Sequence, residues 1–275
     1  MKRPFTKKIV MVTGAGAGIG RALCLDLASR GAFVVATGRS PENVEETALL
    51  IRRSGGSSMS SVLDVSDEKA VDQAITDVAR RFGRLDYMVN NAGISIAGES
   101  LDLTASQFKE VFSVNFFGVL YGTLSAYRLM AAQGHGHIVN VSSLAGLLPF
   151  PVKAPYAASK HAVVGLSTTI RAEGARLGVK VSVACPGLVD TEIWQKTPIM
   201  KAEIDDILSM IPVPMLGVEK AARIILDGVA ANRSIITFPF NARFLWWLYR
   251  VHPGLLDLMG WKMMKDFRKL KKDAP

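Results

Sequence analysis

Short β-branched apolar runs alternate along most of the chain with stretches in which apolar residues recur every third or fourth position. The runs are KIVMVTG from Lys8, AFVVATG from Ala32, SSVLDV from Ser60, LDYMVNNAG from Leu85, GHIVNVSS from Gly136, VKVSVACPG from Val179 and RSIITFP from Arg233. Between them, segments such as Pro41 to Ser54 and Asp67 to Phe82 carry the helical spacing. Near-continuous apolar strands need cover on both faces, and strands alternating with helices belong to crossover units of a parallel sheet. The pattern predicts a seven-stranded, doubly wound α/β sheet in three layers, Rossmann-like, over residues 1–238. After Phe238 the chain turns aromatic and then basic, through FLWWLY and WKMMKDFRKLKKD. Residues 239–275 read as a helical extension of the same domain.

The first strand runs into TGAGAGIG, which places Gly14, Gly18 and Gly20 in a GxxxGxG spacing before a helical pattern from Arg21. A glycine turn there lets backbone amides and the positive end of a helix approach a pyrophosphate. The spacing differs from the GxGxxG fingerprint, and a plain tight turn is the alternative, but the position between first strand and first helix points to a dinucleotide. At the end of the second strand, where an NAD site carries an acid for the ribose, this chain has Gly38 and Arg39. A guanidinium meets a 2′-phosphate bidentately, so NADP(H) is expected over NAD(H); a solvated turn arginine is the alternative.

In PYAASKHAVVGL, Tyr156 lies four residues before Lys160, so on a helix the two share one face. A phenol titrating near pH 10 is a poor acid or base at neutral pH until a positive charge favours the phenolate. At about 5 Å and an effective dielectric near 20, the attraction is about 3 kcal/mol, or roughly two pKa units. Tyr87, Tyr121, Tyr127 and Tyr249 have no lysine four residues on.

TGAGAGIG, LDVSD, NNAG, SVN, IVNVSS, YAASK and PGLVDT stand in this order from about Lys8 to Gly228, and with them the chain closely resembles the short-chain dehydrogenase/reductase family. The resemblance implies reversible carbonyl/alcohol oxidoreduction with Ser143, Tyr156, Lys160 and Asn115 as catalytic residues. Ser143 would hydrogen-bond the substrate oxygen, with Ser142 closing the strand. Tyr156 would transfer the proton, Lys160 would also bond the nicotinamide ribose, and Asn115 would hold a water of the proton relay. It further implies that Gly14, Gly18, Ile19 and Gly20 cradle the cofactor, with Asp64 and Val65 at the adenine and Asn90, Ala92 and Gly93 beside the ribose. Pro186, Gly187, Val189 and Thr191 would border the nicotinamide. Bland roles stand beside these: Asp64 as a cap of the next helix, Asn91 as a partner for strand backbone. The family commonly forms homodimers or homotetramers through the long helices after the fourth and fifth strands.

Composition narrows the rest. A net charge of +9 is attractive to anions, but no nucleic-acid recognition motif accompanies it, so no nucleic-acid partner is expected. Cys24 and Cys185 read as small core residues, which fits a cytoplasmic protein. The four histidines show no zinc spacing, with His135 and His137 read as part of a Gly-rich turn, so no metal is expected. No signal peptide is read in MKRPFTKK, and no run reaches the roughly 18 apolar residues of a membrane span. The Met- and Ile-rich stretch from Glu192 to Met215 reads as a lid over an apolar ligand or as a surface helix; a steroid, retinoid or long-chain lipid is the expected substrate class. From Leu256, Met259, Met263, Phe267 and Leu270 share one helical face opposite Lys265, Arg268, Lys269 and Lys272. That face, with Trp261 nearby, predicts peripheral membrane contact, or else packing on the domain or a second subunit. A non-catalytic NADPH-binding sensor is the competing reading of the whole chain.

Overall fold

In the computed structural model, which describes residues 4–203, 205 and 214–271, the seven apolar runs become seven strands of one parallel sheet. These are β1 (Ile9–Thr13), β2 (Phe33–Gly38), β3 (Ser57–Val62), β4 (Tyr87–Asn90), β5 (Gly136–Val141), β6 (Val179–Pro186) and β7 (Ile235–Phe238). Their order is β3-β2-β1-β4-β5-β6-β7, so the winding reverses between β1 and β4 and leaves a crevice at the carboxyl ends of those strands. The helices are α1 (Gly18–Ser29), α2 (Pro41–Arg53), α3 (Glu68–Phe82), α4 (Ala105–Phe112), α5 (Gly118–Gln133), α6 (Ala154–Gly174), α7 (Val218–Ala230), α8 (Phe240–Val251) and α9 (Pro253–Leu270).

Strand side chains alternate between two cores. Val10, Val12 and Val34 pack with Leu23 and Leu27 of α1 and Ile225 of α7. Ile9, Met11 and Val35 face the other way, onto Val71 and Ile75 of α3 and Met130 of α5. Cys24 and Cys185 are buried free thiols within these layers.

The third strand lies three residues earlier than its apolar signal. β3 is SSMSSV, paired only with β2, and an edge strand with one open side needs few apolar residues. Leu63 and Val65, which carried the signal, are buried in the loop that follows. Asp64 does not cap α3: its carboxylate accepts from Ser66 N at 2.9 Å and Ser66 Oγ at 2.7 Å, while Asp67 takes the cap by accepting from Ala70 N at 3.1 Å. His137 belongs to β5 rather than to the turn; burial pushes it down to about 3, and it is a neutral partner of Ser182 Oγ at 2.9 Å.

The carboxyl-terminal segment is helical, but its apolar stripe is divided. Phe267 is fully buried against Val152, with Met263 beside it, whereas Met259 is exposed. Arg268 donates to Glu99 at 2.5 Å, and Lys271 pairs with Asp102 at 2.5 Å, which pins the end of α9 to the loop before α4. Half of the expected membrane face is therefore a domain contact, and Arg268 and Lys269 are ion-paired. Lys272 lies outside the described residues. No described helix is long and apolar enough to cross a membrane.

Candidate active site

The glycine loop leaves β1 at Gly14, whose φ of +62° and whose neighbour Ala92 exclude a side chain: a Cβ there would stand 2.8 Å from Ala92 Cα. Gly20 is closer still to backbone, since its Cβ would fall 2.0 Å from Gly14 O. Asn91 Nδ2 donates to Thr13 O at 3.0 Å and Gly14 O at 3.2 Å, which ties the end of β4 to the loop and gives Asn91 the backbone role weighed for it. Across the crevice, a Cβ on Gly18 would lie 3.4 Å from the Thr191 side chain, so the segment after β6 closes over the amino end of α1. Ile19 packs on the core beside that turn. These cradles, open to backbone approach and fenced against side chains, fit a dinucleotide pyrophosphate.

The remaining expected cofactor residues divide. Arg39 is exposed one residue beyond β2, and its charge contributes, after the Ser66 hydrogen bonds, to holding the Asp64 carboxyl below its usual range. Val65 is buried against Gly118, where an added Cβ would meet Val65 Cγ2 at 2.7 Å. Asn90 does not turn its side chain to the crevice: its amide donates to Asn140 Oδ1 at 2.8 Å inside the core. Pro186 ends β6, Gly187 N donates to Phe238 O at 2.7 Å, and Val189 is buried, accepting from the indole of Trp194 at 2.9 Å.

Asn115, Tyr156, Lys160 and Ser143 come together at the mouth of this crevice. Asn115 sits in a π-turn, Ser113–Phe117, between α4 and α5, a local widening often found at functional sites. Its Oδ1 accepts from Ile94 N at 2.8 Å, and its Nδ2 donates to Ile94 O at 2.9 Å and Ser159 Oγ at 3.2 Å. Both side-chain donors are thus committed to protein. A Cβ on Gly93 would lie 3.2 Å from Asn115 Oδ1 and 3.4 Å from Lys160 Nζ, which joins the loop after β4 to α6. Lys160 Nζ donates to Val141 O at 3.0 Å and stands 5.6 Å from the Tyr156 ring centre. Ser142 Oγ donates to Lys160 O at 2.8 Å, the structural role expected of it, while Ser143 Oγ accepts from Ala145 N at 3.2 Å.

The electrostatics differ from the expectation for Tyr156. Burial is the largest influence on the phenol and raises it above its ordinary value; the Ser143 hydroxyl acts in the opposite direction. Lys160 is itself desolvated, and burial pushes it down to about 8. In the protein alone, removal from water is the largest influence on each of the two groups.

A second lysine was not read from the sequence. Lys153, 7% exposed, lies with Nζ 4.1 Å over the Trp194 ring and 5.7 Å from the Tyr156 ring, with no carboxylate partner among the described residues. Burial pushes it too down to about 8 from an ordinary 10.5. Between these two values the unfolded chain binds more protons than the folded one, so the burden of the buried charge is felt in full below about pH 8 and is relieved as pH rises towards 10.5. Lys153→Met is expected to raise unfolding free energy at pH 7 by about 1 kcal/mol, after the lost cation–π contact is set against the removed desolvation. Denaturant titrations at pH 7 and pH 10 check this; a variant destabilised at pH 7 would show that stacking on Trp194 dominates.

The segment after Thr191 is anchored where it is described. Ala97 N donates to Pro198 O and Met200 N to Ala97 O, both at 2.9 Å, so Pro198–Met200 is fastened to the loop between β4 and α4. Residues 204 and 206–213 of the expected lid lie outside the described residues. A cavity of about 330 Å³, lined in part by Glu99, Phe150, Val152, Ala154 and Met264, separates α9 from the start of α6.

The winding reversal and its glycine cradle are those of a dinucleotide-binding fold. A family model described as short chain dehydrogenase matches residues 8–202. Levodione reductase of Leifsonia aquatica is 36% identical over 70% of this chain and 73% of its own length. A 3beta-hydroxysteroid dehydrogenase of Mediterraneibacter gnavus is 37% identical over 70% of each. A probable oxidoreductase, EphD, of Mycobacterium tuberculosis is 37% identical over 92% of this chain but only 44% of its own length, so this chain spans less than half of that relative. A short chain dehydrogenase/reductase from Burkholderia phymatum, solved in complex with NAD, superposes with a TM-score of 0.79 at 27% identity, covering 100% of this chain and 99% of that one. The chain belongs to the short chain dehydrogenase family.

Proposed function

We propose that the protein interconverts a ketone and a secondary alcohol with NADP(H), on a lipophilic substrate of the steroid, retinoid or long-chain lipid class. The observation that carries the cofactor reading is Arg39, exposed at the end of β2 with Gly38 before it and no ion pair of its own among the described residues. Two similar proteins, named for levodione and for a 3β-hydroxysteroid, support a ketone or alcohol substrate. Gly14, Gly18 and Gly20 would hold the pyrophosphate, Gly93 and Lys160 the nicotinamide ribose, and Pro186 to Thr191 the nicotinamide face. The bound nicotinamide supplies hydride transfer. Ser143 donates a hydrogen bond to the substrate oxygen, and Tyr156 gives that oxygen a proton or takes one from it. A phenol raised by burial stays protonated at neutral pH, which suits a proton donor and therefore reduction. Asn115, held by Ile94, fixes the base of the relay, and residues 1–238 act as the catalytic domain with 239–275 as its extension. Assembly as a homodimer or homotetramer would use α5 and α6.

The test is absorbance of reduced nicotinamide over a panel of hydrophobic ketones with NADPH and alcohols with NADP⁺. Turnover of none, with NADPH bound, would support the sensor reading instead. Arg39→Ala is expected to raise KM for NADPH about tenfold or more while leaving that for NADH nearly unchanged, because only the former carries a 2′-phosphate. Equal effects on both cofactors would show that Arg39 does not read that group.

A further inference from the structure

Eight of the thirteen large hydrophobic side chains left exposed among the described residues fall between Phe240 and Trp261. They are organised. Phe240, Phe244, Trp247 and Val251, between 50% and 80% exposed, recur at helical spacing and form the outer face of α8. The inner face is already used: Ala242 is buried, and Trp246 packs on the cluster of Val163, Val183 and Cys185. Leu255, Leu258 and Trp261 are also exposed, on the first half of α9.

We propose that this outer face of α8, with the exposed first half of α9, docks on an anionic lipid membrane. The proposal does not depend on the reaction assigned above. It replaces the stripe through Phe267, which packs on the domain, with a face the domain leaves open. Charge selects the occupant. Residues 240–265 carry Arg243, Arg250, Lys262 and Lys265 against one acid, Asp257. All four cations are exposed and none forms an ion pair among the described residues. Arg243 and Arg250 each follow a stripe residue by three positions and so flank the aromatic face. Aromatic side chains inserted at the acyl boundary with basic groups at the headgroups are what an interfacial helix presents. A second copy fits less well, because a two-fold contact through this face would place Arg243 and Arg250 of each subunit, neither offset by a carboxylate among the described residues, against the same surface of the other.

Co-sedimentation of the full chain with phosphatidylglycerol/phosphatidylcholine vesicles tests it, beside vesicles of phosphatidylcholine alone. Binding is expected to the mixed vesicles, to weaken with salt, and to shift Trp fluorescence to the blue. The double variant Phe244→Ser/Trp247→Ser is expected to lower the partition coefficient about tenfold or more, and Arg243→Glu/Arg250→Glu to remove the preference for anionic lipid. Unaltered NADPH binding and circular dichroism certify the fold of each variant; should the first pair fail that check, Trp247→Ser alone carries the test. No sedimentation of the full chain at low salt overturns the proposal, as does full binding by a folded serine variant. A dimer that sediments as one in solution and falls apart in the serine variant without lipid would assign the face to a second copy and overturn it equally.

Discussion

Tyr156→Phe is expected to abolish turnover, lowering kcat by about a thousandfold or more, with NADPH affinity nearly unchanged. The ring remains in both proteins, so its packing beside Lys153 at 5.7 Å and Lys160 at 5.6 Å is kept. Only the phenolic proton is lost. Ser143 cannot replace it, because an alcohol hydroxyl is a far weaker acid than a phenol, and Ser143 Oγ already accepts from Ala145 N at 3.2 Å. Stopped-flow or steady-state absorbance gives the rate, and fluorescence titration gives the affinity. Residual kcat within about tenfold of the unmodified protein would remove Tyr156 from the proton path. The pH dependence separates the two directions: with the phenol raised by burial, reduction should hold through neutral pH and fall as alkaline pH deprotonates Tyr156.

What the sequence discloses and what it withholds divide along physical lines. Central strands are legible because burial on both faces demands apolar residues at every position, as in IVMVT of β1 and its neighbours. The edge strand β3 is misplaced in the pattern because a strand open on one side is built from serine, while the apolar residues nearby belong to a buried loop. The juxtaposition of Tyr156 and Lys160 follows from spacing along a helix. Their protonation does not, since Lys160 is buried against the end of β5, where Val141 O accepts from its ammonium at 3.0 Å, and β5 reaches it from elsewhere in the chain. Lys153 escaped notice for the same reason: only the fold brings it over Trp194. A run of apolar residues before a helix, broken by one lysine, was the available signal. In α8 both faces are apolar, so the pattern gave a helix without saying which side the domain would take.

Gly20→Ala is expected to weaken NADPH binding about a hundredfold or more, the largest effect a single methyl group should have in this protein. The ideal position of the new carbon is 2.0 Å from Gly14 O and 2.5 Å from Asn91 Nδ2. Neither neighbour is the free end of a flexible side chain. Gly14 O is backbone at the first residue of the loop, and Asn91 Nδ2 is fixed by Thr13 O and Gly14 O. The loop must therefore move away from α1 by an ångström or so, and with it the amides proposed to hold the pyrophosphate. Overpacking also costs about 1–3 kcal/mol of stability, so a comparison is needed. Gly55 supplies it: its φ is +78° with nothing within 4 Å of an added Cβ, so Gly55→Ala strains the backbone away from the crevice. That variant should lose about 1 kcal/mol of stability and no NADPH affinity. If Gly20→Ala, still folded by circular dichroism, binds NADPH as tightly as Gly55→Ala does, the close approach of α1 to Gly14 is a packing feature and the dinucleotide is held elsewhere.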